Sequence, residues 1–146
     1  KHDFGPLEKE IEYIEQYIEL QKLRFSDKVE LRVNITGDYS QCKVASLILI
    51  PFIENAFKYG VSNHEVAPIV MNLAVEDDKL LFEVHNKKFK KEPIRVSGKG
   101  IGIANTKRRL EMLYPKRHKL KIVEKDDSYS VNLEIRLHEK NFDSLI

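Results

Sequence analysis

The sequence predicts an α/β protein, a two-layer sandwich with helices on one face of a mixed, mostly antiparallel sheet. Three observations point there. Apolar residues recur at helical spacing in three stretches and alternate with polar ones in five others. These stretches interleave without regular strand–helix–strand units. The chain is 146 residues long, 42% hydrophobic and 33% charged, which suits one core.

The elements follow in order. Gly5-Pro6 reads as a helix start, with proline at the first helical position. Leu7, Ile11, Ile14 and Ile18 then mark one face of a helix running to about Arg24, while Glu8, Glu12, Glu15 and Glu19 fall on the solvated side. Val29, Leu31, Val33 and Ile35 alternate with polar residues as a half-buried strand, and Gly37-Asp38 turns the chain. The apolar stretch Leu47–Tyr59 is helical and stops at Gly60; Pro51 inside it predicts a kink or a late start.

Ile69–Val75 and Leu80–His85 form a hairpin around the charged turn Glu76-Asp77-Asp78-Lys79. Residues 87–99 read as a loop. Ile103, Leu110 and Leu113 mark a third helix, closed by Pro115. Leu120–Glu124 and Tyr129–Leu137 are the last two strands, flanking the turn at 125–128.

Composition narrows the function. A net charge of +2 gives no global attraction to nucleic acid, so none is expected as partner. A single cysteine, Cys42, forms no internal disulfide and has no metal-ligand neighbours in sequence; a half-buried residue in a reducing cytosol is expected. No run of about 18 apolar residues offers a membrane span. The first residue is Lys1, which reads as a piece of a longer protein.

Two segments carry chemistry. In Pro51-Phe52-Ile53-Glu54-Asn55-Ala56-Phe57-Lys58-Tyr59-Gly60, three polar residues interrupt an apolar helix. Asn55 and Lys58 share a face. An amide oxygen, a carboxylate and an ammonium together suit a metal-bound phosphate. A polar stripe that simply faces water explains the segment about equally well. The second segment is Gly98-Lys99-Gly100-Ile101-Gly102-Ile103, just ahead of a helix. Alternating glycines let backbone approach a ligand, and the helix start offers amide donors to a polyphosphate. Neither a dinucleotide fingerprint nor a P-loop fits, because no strand immediately precedes and no lysine-serine pair follows. The loop before the glycines carries Lys87, Lys88, Lys90, Lys91, Arg95 and Lys99 against one acid, Glu92. It reads as a basic lid over phosphates or as a solvated charge run.

Taken together, the segments resemble a known superfamily. Glu54-Asn55-Ala56-Phe57-Lys58-Tyr59-Gly60 resembles the N-box of the gyrase, heat-shock chaperone, histidine kinase and MutL ATPases, and residues 98–115 resemble its second glycine box. The spelling of both boxes, and the opening helix from Leu7 to Phe25, are similar to LytS/YehU-type sensor histidine kinases. The resemblance covers nearly all of residues 7–137. It implies a Bergerat-type ATP-binding fold over residues 27–146, with residues 1–26 as a linker helix from the phosphoacceptor region. It implies ATP and Mg²⁺ as cofactors, and Asn55 as the Mg²⁺ ligand. Glu54 is implied as its catalytic neighbour, acting through the metal's water shell or as a proton acceptor. Lys58 is implied on the phosphates and Tyr59 near the nucleotide. Gly98, Lys99, Gly100, Ile101 and Gly102 are implied along the phosphates and the lid.

Two departures matter. The family's adenine-binding aspartate corresponds to Asn86, and the glycines that usually follow it are absent. An asparagine oxygen still accepts a hydrogen bond from the adenine amino group; a turn residue at a strand end is the plainer reading. Hydrolytic members carry a glutamate four residues before the N-box asparagine, where this chain has Pro51. Proline is no base, which favours a kinase over an independent ATPase. None of His2, His64, His85, His118 or His138 lies in the His-Phe-x-x-Asn context of the phosphoacceptor. The expected activity is therefore transfer of a γ-phosphate from Mg-ATP to a histidine outside this chain. The expected partners are the histidine-bearing dimerisation region of the same parent and a response regulator. The parent is expected to be a homodimer in the bacterial inner membrane with this domain in the cytoplasm. A scaffolding module of the same fold with a degenerate nucleotide site is the main alternative. An anti-sigma-type serine kinase is a third reading, disfavoured by Pro51 and the opening helix.

Overall fold

The computed structural model describes residues 4–89 and 101–137. In chain order the elements are β1 (Phe4–Pro6), α1 (Leu7–Phe25), a short 3₁₀ turn (Ser26–Lys28), β2 (Glu30–Thr36), β3 (Lys43–Ala45), α2 (Ile50–Tyr59), β4 (Pro68–Glu76), β5 (Lys79–Lys87), α3 (Ile101–Leu113), β6 (His118–Glu124) and β7 (Ser128–Arg136). Five strands form one sheet in the order β2-β4-β5-β7-β6, and β1 and β3 form a separate two-stranded ribbon. Within the sheet only β2 and β4 run parallel. This is the predicted mixed, mostly antiparallel sheet under helices.

Strand alternation sorts the two sides. Ile69, Met71, Leu73 and Val75 of β4, Leu80, Phe82 and Val84 of β5, and Val131, Leu133 and Ile135 of β7 are all buried and form the core with the helices. The opposite face is wet. Asn34 Nδ2 donates to Asn72 Oδ1 at 3.0 Å, and Asn72 Nδ2 to Glu83 Oε1 at 2.8 Å. Register continues that row to Asn132 and Lys121, so one polar line crosses all five strands.

Helix α1 carries acids in its first turn and Lys22 and Arg24 in its last, matching the helix dipole. Its apolar face buries Leu7, Ile11, Ile14, Ile18 and Phe25. Each such side chain contributes about 1.5–3 kcal/mol on burial, so packing rather than propensity holds it. Helix α2 takes the late-start option: it begins at Ile50 with Pro51 in the first turn, where proline costs no helical hydrogen bond. It ends at Gly60, whose N–H bonds Ala56 O at 2.7 Å.

Several expectations need correction. Pro6 is not the first helical residue. It is extended, at φ −60° and ψ 136°, and Phe4–Pro6 pair with Lys43–Ala45 instead. That ribbon is missing from the element order expected from sequence. Strand β2 is less buried than its alternation implies, with Val33 37% exposed, because it lies at the sheet edge with one neighbour. Helix α3 begins two residues earlier than Ile103. Asn86 is not in a turn but inside β5, and is 1% exposed.

Candidate functional site

The site is built on α2. Its apolar residues Phe52, Ile53, Ala56 and Phe57 face the core, which leaves Glu54, Asn55, Lys58 and Tyr59 half-buried at the margin. Glu54 is removed from water enough that burial raises its carboxyl above the usual carboxylate range. Lys58 Nζ lies 5.5 Å from the centroid of the Tyr59 ring.

Asn86 closes one end. It shares its parity with the core residues Leu80, Phe82 and Val84, so it continues the inward row of β5 to the rim of the sheet. Ile69 of β4 and Tyr129 of β7 are its paired neighbours. Burial first, then the charges of Glu124 and Tyr59, push the Tyr129 hydroxyl above its ordinary range. Asn86 Nδ2 donates to Lys87 O at 2.9 Å, but its Oδ1 is buried with no hydrogen-bond partner among the described residues. A buried acceptor left unmet costs about 1–3 kcal/mol.

Gly60 makes the approach of α2 to Asn86 possible. A Cβ there would sit 2.5 Å from Ala56 O and 2.9 Å from Asn86 Cβ. The other end of α2 meets α3, where a Cβ on Gly102 would lie 3.6 Å from Pro51 Cβ. A ten-residue helix is about 15 Å long. Asn86 and the amino end of α3 therefore flank opposite ends of α2, with Asn55 between them.

Of the expected site residues, Glu54, Asn55, Lys58, Tyr59, Asn86 and Gly102 are thus grouped along one helix. Gly98, Lys99 and Gly100 lie outside the described residues, as do the side chain of Ile101 and most of the basic loop. Two of that loop's cations are engaged: Lys87 pairs with Glu65, and Lys88 with Glu124. His85 is exposed, with Nδ1 2.6 Å from Ser130 Oγ on the wet face of the sheet. Among the described residues, no three of His, Cys, Asp and Glu converge to hold a metal by themselves.

Sequence reading missed three residues that organise this region. Glu10 is 5% exposed and accepts from the N–H of Leu47 at 2.9 Å and of Leu49 at 3.3 Å, at the amino end of α2. Leu47 sits at φ +58°, a conformation that such a carboxylate helps hold. Tyr17 sets its ring edge-on to Phe57 of α2, with centroids 5.8 Å apart. The Tyr114 hydroxyl, at the end of α3, accepts from Ala45 N–H at 2.9 Å. The spacing signal was there: Glu10 is three residues from Leu7 and four from Ile14, and Tyr17 is three from Ile14.

Comparison with known proteins agrees with this architecture. No family model matches the chain. It is 24% identical over 129 residues to the sensor histidine kinase BtsS of Escherichia coli K12, which takes in 88% of this chain and 23% of that protein. It is 32% identical over 80 residues to an uncharacterized sensor-like histidine kinase of Staphylococcus epidermidis, over 55% of this chain and 15% of that protein. The chain spans less than a quarter of the length of these relatives. The catalytic domain of histidine kinase ThkA superposes with a TM-score of 0.64 at 13% identity, covering 91% of this chain and 93% of that one. Full-length ShkA in complex with AMPPNP gives 0.64 at 16% identity, over 92% of this chain and 31% of that one. The chain is related in sequence to sensor histidine kinases and has the fold of histidine kinase catalytic domains.

Proposed function

We propose that this kinship extends to chemistry: residues 27–146 bind Mg-ATP and pass its γ-phosphate to a histidine of the parent protein outside this chain. Residues 1–26 are then the helix leading in from the phosphoacceptor region. The observation that carries the reading is the buried, unmet Oδ1 of Asn86 at one end of α2. The adenine amino group is the donor it lacks. A nucleotide with its base there and its phosphates along α2 reaches the amino end of α3, where free amides favour negative charge. The AMPPNP complex of ShkA supports a nucleotide in this fold.

The roles are those that the family resemblance implies. Asn55 offers its amide oxygen to Mg²⁺, which keeps most of its ligands as water and phosphate and so needs few protein oxygens. Bound there, the metal neutralises phosphate charge. Glu54, next to Asn55 in the chain, would act through the metal's waters or as a proton acceptor, which its raised proton affinity suits. Lys58 faces the phosphates, and Tyr59 packs near the base. Gly98, Lys99, Gly100, Ile101 and Gly102 line the phosphates and the lid. Pro51, in the first turn of α2, supplies no base for water attack, so hydrolysis is slow. Downstream, a response regulator receives the phosphate, and the parent works as a dimer anchored in the bacterial inner membrane. Among the described residues no helix is long and apolar enough to cross a membrane.

Calorimetric titration tests the reading. The chain is expected to bind Mg-ADP and an ATP analogue saturably, and Asn55→Ala to lose the magnesium-dependent part. No binding at millimolar nucleotide would overturn it in favour of a scaffolding module. Incorporation of labelled phosphate into the isolated chain would show a phosphoacceptor within it.

A further inference from the structure

Helix α1 is the element the function above does not use, yet Tyr17 turns from it toward the site. The Tyr17 hydroxyl is buried and has no hydrogen-bond partner among the described residues. Its ring stands edge-on to Phe57 at an interplanar angle of 71°. Phe57 is three residues after Glu54, so both lie on the same side of α2. The phenol oxygen is therefore delivered to the flank of α2 that carries Glu54. The groups whose charge reaches that oxygen are Glu54 from α2 and Arg24 and Tyr13 from α1. Arg24 only donates hydrogen bonds and packs over the Phe25 ring at 5.1 Å. Tyr13 is 46% exposed. The carboxylate is the strongest acceptor of the three. Burial and the negative charge of Glu54 raise the Tyr17 phenol well above its ordinary value, so it remains a donor at neutral pH.

We propose that Tyr17 is a positioning residue for Glu54: when nucleotide is bound, its hydroxyl donates to the Glu54 carboxylate and fixes the direction in which that carboxylate faces the site. This rests on the proposed function. Glu54 is half-buried on the flank of α2 next to the Tyr17 ring's partner Phe57. The leading helix thereby contributes an atom to the phosphotransfer machinery as well as a packing face.

Tyr17→Phe removes one oxygen and keeps the ring on Phe57, so the fold is retained. With the histidine-bearing segment of the parent supplied in trans, kcat is expected to fall by about three- to tenfold while Mg-ADP affinity stays within about twofold. In a Glu54→Gln background the same change is expected to have no further effect on kcat. A cycle at saturating Mg-ADP supplies a second measurement: the urea midpoints of Tyr17→Phe, Glu54→Gln and the double variant are expected to be non-additive there and additive without nucleotide. Loss of affinity in step with kcat, or additive effects in both cycles, would overturn the proposal and leave Tyr17 a packing residue. Failure of the unaltered chain to bind Mg-ADP would overturn the function itself, whereas intact binding with additive effects overturns the pair alone.

Discussion

Glu10 and Asn86 are both polar, both almost without exposure, and both tied to α2, one at each end. They differ in how they are satisfied. The Glu10 carboxylate takes backbone N–H bonds from Leu47 and Leu49, and Arg109 lends it a compensating positive charge. The Asn86 oxygen takes none among the described residues. A buried polar group that serves the fold finds its partners within the fold, because leaving it unmet costs free energy. One that stays unmet leaves an acceptor free, which the proposed function fills with the adenine amino group. On the proposed function, the two ends of α2 are a structural end and a binding end.

The largest expected effect breaks the structural end. Glu10→Ala leaves the Leu47 and Leu49 amides buried and unpaired and is expected to cost about 3 kcal/mol in urea unfolding. Next, Gly60→Ala drives a methyl into Ala56 O and Asn86 Cβ and is expected to cost about 2 kcal/mol, with loss of nucleotide binding. Asn86→Ala sharpens the contrast: nucleotide affinity is expected to fall about tenfold while stability changes by less than about 1 kcal/mol. Were it as destabilising as Glu10→Ala with binding intact, the comparison would fail.

The smallest effect is in pH. Burial, outweighing the backbone hydrogen bonds and Arg109, raises the Glu10 carboxyl above the unfolded value of 4.5, and burial raises Glu54 likewise. The native state then holds these protons more tightly than the unfolded chain. Their contribution is fully present below 4.5 and is lost as pH rises through the raised native values. Thermal midpoints are expected to decline over that window, and less steeply in Glu10→Gln.

Much of the frame was legible because it is periodic. The alternation in β4, β5 and β7 and the Ile11-Ile14-Ile18 face of α1 name their own elements. Asn86 was legible as a candidate through the motif it replaces, and its role there is part of the proposed function. Its burial was readable too, since it falls on the inward parity of β5. The ribbon of β1 with β3 was not: three-residue strands have no period, and Phe4 meets Ala45 only through long-range folding. Nor was Glu10, whose charge hides it among the surface acids of α1 although its angular position is that of the core. The same applies to Tyr17, counted neither as core nor as site.

The anchorage of α1 has a mechanical consequence. Successive residues on a helix are about 100° apart. Rolling α1 by one position would swing Glu10 off the Leu47 and Leu49 amides and bring Glu12 round toward the place of Ile11. The ribbon also holds its leading end, with Leu7 N–H on Cys42 O at 2.9 Å. Torque applied to α1 is therefore not dissipated as slip within the domain. It turns α2 and the sheet as one body, as a key turns a lock barrel.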